Sequence, residues 1–144
     1  MSVVAWDGVT LAGDRQGSSG TLKFERTKIF RHPEKKGVLI GLVGNSDACE
    51  SLHHWFVHGG DWPAKSQESD DWASMLVVSR ESVLLYGRSK LPIRIEKSPF
   101  AIGCGRDFAF GAMACGVDAR SAVEVACKFD LYCGMGIDVL RLDD

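Results

Sequence analysis

The chain has 144 residues, 45% of them hydrophobic and 25% charged, with a formal net charge of -2. That is the composition of an ordered globular protein with one core, long enough to bury roughly two thirds of its unfolded surface. Basic residues are scattered rather than massed, so neither nucleic acid nor a membrane surface is expected as a partner. No run approaches the ~20 apolar residues of a membrane span, and the first residues lack the basic-then-apolar pattern of a signal peptide, so a cytoplasmic protein is expected.

In chain order, Ser2 to Trp6 and Val9 to Gly13 are short β-prone runs separated by Asp7-Gly8, a dipeptide suited to a tight hairpin turn. A Gly/Ser-rich stretch follows at Gln16 to Gly20. Apolar runs at Thr27 to Phe30 and Gly37 to Val43 then predict two more strands around the polar turn His32 to Lys36, making a four-stranded first half. Ala48, Leu52, Trp55 and Phe56 recur at helical spacing, with Asn45 or Ser46 as N-cap and Gly59-Gly60 as the stop. The polar, aperiodic segment Asp61 to Asp71 reads as a surface connection within one domain rather than as a boundary. Trp72 to Val78, Val83 to Gly87, Ile93 to Ile95 and Phe100 to Gly103 predict four strands of a second sheet. Helices are expected at Asp107 to Cys115 and Ala119 to Phe129, with Gly116 ending one and Asp118 capping the other. Strands, helix, strands and paired helices spell a layered α+β sandwich.

Five cysteines (Cys49, Cys104, Cys115, Cys127 and Cys133) form no CxxC pair, which fits reduced, mostly buried thiols better than a disulfide framework. Cys104, flanked by glycines, is expected as a buried structural thiol, with an exposed reactive one as the rival reading. A thiol hydrolase built on Cys104 is the weaker proposition, because all four histidines lie in the first half of the chain. His54 and His58 are spaced i, i+4, yet no downstream ligand completes a metal site, and Trp55 follows His54 where the helical metalloprotease motif has its Glu. Surface or interface histidines are therefore expected.

Five segments carry a family resemblance. Ser2-Val3-Val4-Ala5-Trp6-Asp7-Gly8 with Leu11-Ala12-Gly13-Asp14 resembles the first hairpin of proteasome β-subunits and of the bacterial ATP-dependent protease relatives of those subunits. Thr27-Lys28-Ile29 stands where that family has its strand-borne lysine. Gly41-Leu42-Val43-Gly44 with Asp47-Ala48 is similar to its strand, glycine turn and helix start. Phe100-Ala101-Ile102-Gly103-Cys104-Gly105 resembles its Gly-x-Gly strand end, and Asp130-Leu131-Tyr132-Cys133-Gly134 its Asp-x-x-Ser-Gly loop. The match runs from end to end and is closest in length to short proteasome-like proteins of bacteria and their phages, many of which begin Met-Thr rather than Met-Ser.

The resemblance implies the four-layer αββα sandwich of the N-terminal-nucleophile (Ntn) hydrolases. It also implies an amide hydrolase, a threonine/serine-type endopeptidase, that needs no cofactor or metal. Ser2, exposed as the first residue once Met1 is removed, would be the nucleophile, with its own α-amine as base. Lys28 would lower the pKa of that amine, Asp14 would orient Lys28, and the Gly44 N–H would face the developing oxyanion. Asp130 and Cys133 would support the amine. Cys133 replaces the usual serine, and Arg106 follows Gly-x-Gly where many subunits carry a small hydroxyl residue. Implied partners are further copies of the chain in a homo-oligomeric ring, with Trp55 and Phe56 at subunit contacts, a polypeptide substrate and an ATP-dependent unfoldase. The bland alternatives are a frayed Ser2, an exposed Asp14–Lys28 pair worth little, and a Gly44 needed only for its turn. A second class of reading is a catalytically inactive assembly protein that keeps the fold and ring contacts.

Overall fold

The computed structural model describes residues 2–63 and 72–143. Its strands are β1 (Val4–Trp6), β2 (Thr10–Asp14), β3 (Gln16–Ser19), β4 (Leu22–Glu25), β5 (Ile29–Arg31), β6 (Leu39–Gly44), β7 (Ala73–Val78), β8 (Val83–Tyr86), β9 (Ile93–Arg94), β10 (Phe100–Ile102) and β11 (Ile137–Arg141). The helices are α1 (Ser46–His58), α2 (Arg106–Ala114) and α3 (Ala119–Phe129). One antiparallel sheet runs in the order β10-β1-β2-β11, the other β5-β6-β7-β8-β9, and β3-β4 forms a separate hairpin.

Alternation along the strands builds the layers. In β1, Val4 and Trp6 point into a core shared with Leu39, Val43, Leu76 and Val78 of the second sheet, whereas Ala5 joins the cluster beneath α2 and α3. In β6, Leu39 and Val43 face the first sheet while Ile40 and Leu42 face α1. Gly41 lies on the inter-sheet side, where a Cβ would come 2.6 Å from a Val4 methyl, so its missing side chain lets the sheets approach. Strands buried on both faces read as continuous apolar runs, which is why these are so readily found in the sequence. The result is the expected α+β architecture: α1, sheet, sheet, then α2 with α3.

One expectation needs correction, and two features were not foreseen. The first four predicted strands do not form a sheet of their own: β1 and β2 pair with β10 and β11, and β5 and β6 continue into β7. Hairpin pairing is a local property, but sheet membership is decided by which buried face a strand can cover. The Gly/Ser-rich stretch, to which no element was assigned, is partly a strand. It forms β3, paired with β4 in register Gln16 opposite Glu25 to Ser19 opposite Leu22; β4 alternates apolar and charged residues over only four positions and is exposed throughout. β11 was not foreseen; it pairs with the whole of β2, from Ile137 opposite Asp14 to Arg141 opposite Thr10. The connection expected at Asp61 to Asp71 lies, from residue 64 on, outside the described residues. Among the described residues no helix is long and apolar enough to cross a membrane.

Candidate active site

The chain enters β1 through a narrow backbone contact. Ser2 O accepts from Gly105 N at 3.2 Å, and a Cβ on Gly103 would lie 2.1 Å from that same oxygen. Gly103 has φ +102°, so this approach requires glycine for space and for conformation. Ser2 itself is buried, at 3% exposure.

Next to Ser2, Val3 N donates to Asp14 Oδ1 at 3.0 Å, and Lys28 Nζ donates to the same oxygen at 2.8 Å. Lys28 Nζ also donates to Gln16 O at 2.6 Å. Asp14 Oδ2 accepts from Gln16 N at 3.2 Å and Gly134 N at 3.1 Å. Both ion-pair partners are buried, Asp14 fully, so the exposed-pair alternative falls. Burial pushes the Lys28 ammonium below the ordinary lysine range, with the Asp14 carboxylate acting in the opposite direction. Asp14 ends β2, and Lys28 lies just before β5, its carbonyl accepting from Leu42 N of β6.

Ser2, Gln16, Lys28, Gly44, Asn45 and Ser46 line one cleft of about 420 Å³. Gly44 closes β6 at φ +113°, where a Cβ would meet Trp72 O at 2.4 Å. Asn45 then caps α1, its side-chain oxygen accepting from Ala48 N at 3.0 Å. The cleft thus faces a helix N-terminus, whose backbone dipoles favour negative charge. Ser2, Asp14, Lys28 and Gly44 are brought to one end of the sandwich.

Asp130 and Cys133 reach the Ser2 nitrogen through a third residue. Ser2 N donates to Cys104 Sγ at 3.1 Å, and Cys104 Sγ lies 3.7 Å from Asp130 Oδ1. Cys133 is buried, and a Cβ on Gly105 would come 2.9 Å from its sulfur. The loop carrying both is tied to the Lys28 side of the site, since Gly134 N bonds Asp14 and Gly134 O accepts from Arg15 N at 3.0 Å. Hydrogen bonding between the thiols pushes Cys104 down and Cys133 up from the ordinary thiol value.

Cys104 corrects the expectation of a buried structural thiol, because it is exposed. The tight Gly103-Cys104-Gly105 turn leaves the residue open to solvent while its sulfur meets Ser2 N, and the two flanking glycines were the signal for that exposure. Of the other thiols Cys115 is also exposed and Cys127 intermediate, so the cysteines are not mostly buried. Gln16, whose carbonyl holds Lys28, was not singled out from the sequence; it opens the Gly/Ser-rich stretch, to which no element was assigned.

His53 packs on Phe30 with ring centroids 4.4 Å apart, and His54 on His58 at 4.6 Å. Trp55 and Phe56 are not bare: both are half-buried against Tyr86, and Trp55 also meets Trp62 edge-on at 4.7 Å. The more exposed aromatic pair is Phe108 and Phe129, stacked at 5.8 Å. Arg106 is exposed, beside Asp107.

No family model matches the chain, and no curated protein matches it in sequence. Solved structures do match. HslV from Trypanosoma brucei has 25% identity and a TM-score of 0.73, covering 96% of this chain and 98% of that one. BPH from Thiobacillus denitrificans, in complex with epoxomicin, gives a TM-score of 0.73 at 17% identity, covering 99% of each chain. A Gly-1 mutant of Anbu from Hyphomicrobium sp. strain MC1 gives 0.70 at 11% identity, covering 98% of this chain and 81% of that one; these last two likenesses speak to fold alone. The chain accordingly has the Ntn-hydrolase fold of the proteasome β-subunit and HslV family.

Proposed function

We propose that this chain is an Ntn-type peptidase in which Ser2, freed by removal of Met1, is the nucleophile. The observation that carries the reading is the buried Lys28–Asp14 pair at 2.8 Å, whose carboxylate also accepts from the backbone N–H that follows Ser2. A buried ion pair is a poor source of net stability, so its place beside a cleft calls for a chemical reason.

Ser2 Oγ attacks the amide carbon while the Ser2 α-amine takes the hydroxyl proton and later delivers it to the leaving amine. An α-amine has an ordinary pKa near 7.7–8.0, and a neighbouring ammonium shifts it further toward the neutral, basic form. Lys28 supplies that charge and Asp14 holds it in place. The Gly44 N–H, at the strand end before α1, stabilises the developing oxyanion. Asp130 and Cys133, through Cys104, hold the Ser2 nitrogen.

Likeness to HslV in fold supports the finer parts of the proposal: assembly into a homo-oligomeric ring, an unstructured polypeptide as substrate, and delivery of that polypeptide by an ATP-dependent unfoldase. Ser2→Ala should abolish hydrolysis of unstructured peptides, because it deletes the attacking oxygen and leaves the amine and the fold intact. Ser2→Thr should keep or raise activity, since the added methyl restricts χ1 and pre-orients the hydroxyl. Cleavage by Ser2→Ala at the parent rate would end the reading and point to another nucleophile such as the Cys104 thiol, whereas no cleavage by the parent freed of Met1 would leave an inactive assembly protein of the same fold.

A further inference from the structure

Beside the Ser2 nitrogen, three side chains that bind soft divalent metals come together. Cys104 Sγ, a carboxylate oxygen of Asp130 and Cys133 Sγ all lie within 4.8 Å of one another. Cys104 Sγ is 3.7 Å from Asp130 Oδ1 and 3.1 Å from Ser2 N. Tetrahedral zinc, bonded at about 2.3 Å to sulfur and about 2.0–2.1 Å to oxygen or nitrogen, sets sulfur–oxygen and sulfur–nitrogen edges of about 3.5 Å. The two observed edges fall on either side of that value and need shifts of a few tenths of an ångström, while the edges to Cys133, within 4.8 Å, close by at most about 1 Å.

The surroundings fit as well. Two thiolates with a carboxylate and a nitrogen form a donor set that selects zinc over magnesium or calcium. Cys133 is held in the core, while Asp130 Oδ1 accepts from Tyr132 N at 2.8 Å, a backbone bond of the kind that orients a ligating carboxylate. Cys104 is exposed and gives an ion its way in. The cluster draws on two separate elements, the turn before α2 and the loop after α3, so the fold itself brings it together.

We propose that Cys104, Asp130, Cys133 and the Ser2 α-amine form a zinc-binding site. Binding converts two thiols to thiolates with release of two protons, and the lone pair of the freed amine completes the four ligands. An amine whose lone pair is on the metal cannot take the proton of Ser2 Oγ, so the bound ion silences hydrolysis. That consequence rests on the peptidase reading; the binding does not.

The test uses two reduced, metal-free preparations with the first residue verified by mass, one beginning at Ser2 and one keeping Met1. Each is titrated with Co²⁺, for its thiolate charge-transfer absorption, and with Zn²⁺, while alkylation of Cys104 is followed by peptide mapping. The Ser2 form should bind one equivalent, show the cobalt–thiolate band, and have Cys104 alkylation slowed about tenfold or more with exposed Cys115 unaffected. The Met1 form, Cys104→Ser and Asp130→Asn should each bind about tenfold more weakly or worse. Cys104 lies in an exposed turn, so its serine variant reports on binding rather than on folding. A Ser2 form that binds no more metal than Cys104→Ser, or zinc protection that maps elsewhere, overturns the site. Peptide hydrolysis without metal uptake would remove the site and leave the peptidase; metal uptake by a protein inert when metal-free would support the site and remove only the inhibition.

Discussion

Asp14 has no exposed surface, yet Val3 N, Gln16 N, Lys28 Nζ and Gly134 N all donate to its carboxylate. Lys28→Met would leave that charge without its cation in the interior and should cost about 3–5 kcal/mol in urea unfolding. A loss under about 1 kcal/mol would mean that the pair is solvated after all. Because burial lowers the Lys28 pKa, the unfolded chain holds a proton that the folded chain has lost between that lowered value and the ordinary ~10.4. Across this window the unfolded state binds more protons, so the stability of the parent relative to Lys28→Met should rise with pH. Urea midpoints from neutral to alkaline pH check the sign. Ser2, Asp14, Lys28 and Gly44 were legible in the sequence because each stands at a strand end inside a matched segment. Cys104 and Gln16 were not: the contact of one with the Ser2 nitrogen and of the other's carbonyl with Lys28 depend on backbone paths set by distant pairings.

At the scale of single elements, the site depends on two glycine turns and one helix cap. Gly103→Ala should destabilise by at least 1–3 kcal/mol, since it combines φ +102° with a Cβ 2.1 Å from Ser2 O, and it should lower activity further by displacing Ser2. A stable, fully active Gly103→Ala protein would contradict the tight approach of the two backbones. Asn45→Ala removes the side-chain acceptor from Ala48 N and should cost about 0.5–2 kcal/mol, measured by the same unfolding assay. Cap and stop residues made α1 readable, as Gly116 and Asp118 did the break between α2 and α3. β3, β4 and β11 escaped for different reasons. β3 is Gly/Ser-rich and β4 alternates over only four exposed residues, while β11 is short, half-buried and mixed in polarity.

Across the whole molecule, a layered α+β sandwich followed from the order of strands and helices and its four layers from the family resemblance, but the assignment of strands to sheets did not. β1 takes its partners from β2 and from β10, which arrives near residue 100, and such long-range pairing leaves no local trace. The aromatic residues of α1, expected at subunit contacts, are largely used inside the chain, so the ring proposal stands on the likeness to HslV and not on bare Trp55 and Phe56. Sedimentation velocity at micromolar concentration should give a species several times the mass of one chain; a monomer would remove the ring. The central claim is that a freed Ser2 performs the hydrolysis, and the most direct test follows peptide cleavage beside intact mass in two otherwise identical preparations. The account predicts that the preparation lacking Met1 cleaves unstructured peptide and that the one retaining it does not, because the retained residue ties up the catalytic amine as an amide. Equal cleavage by both would contradict it.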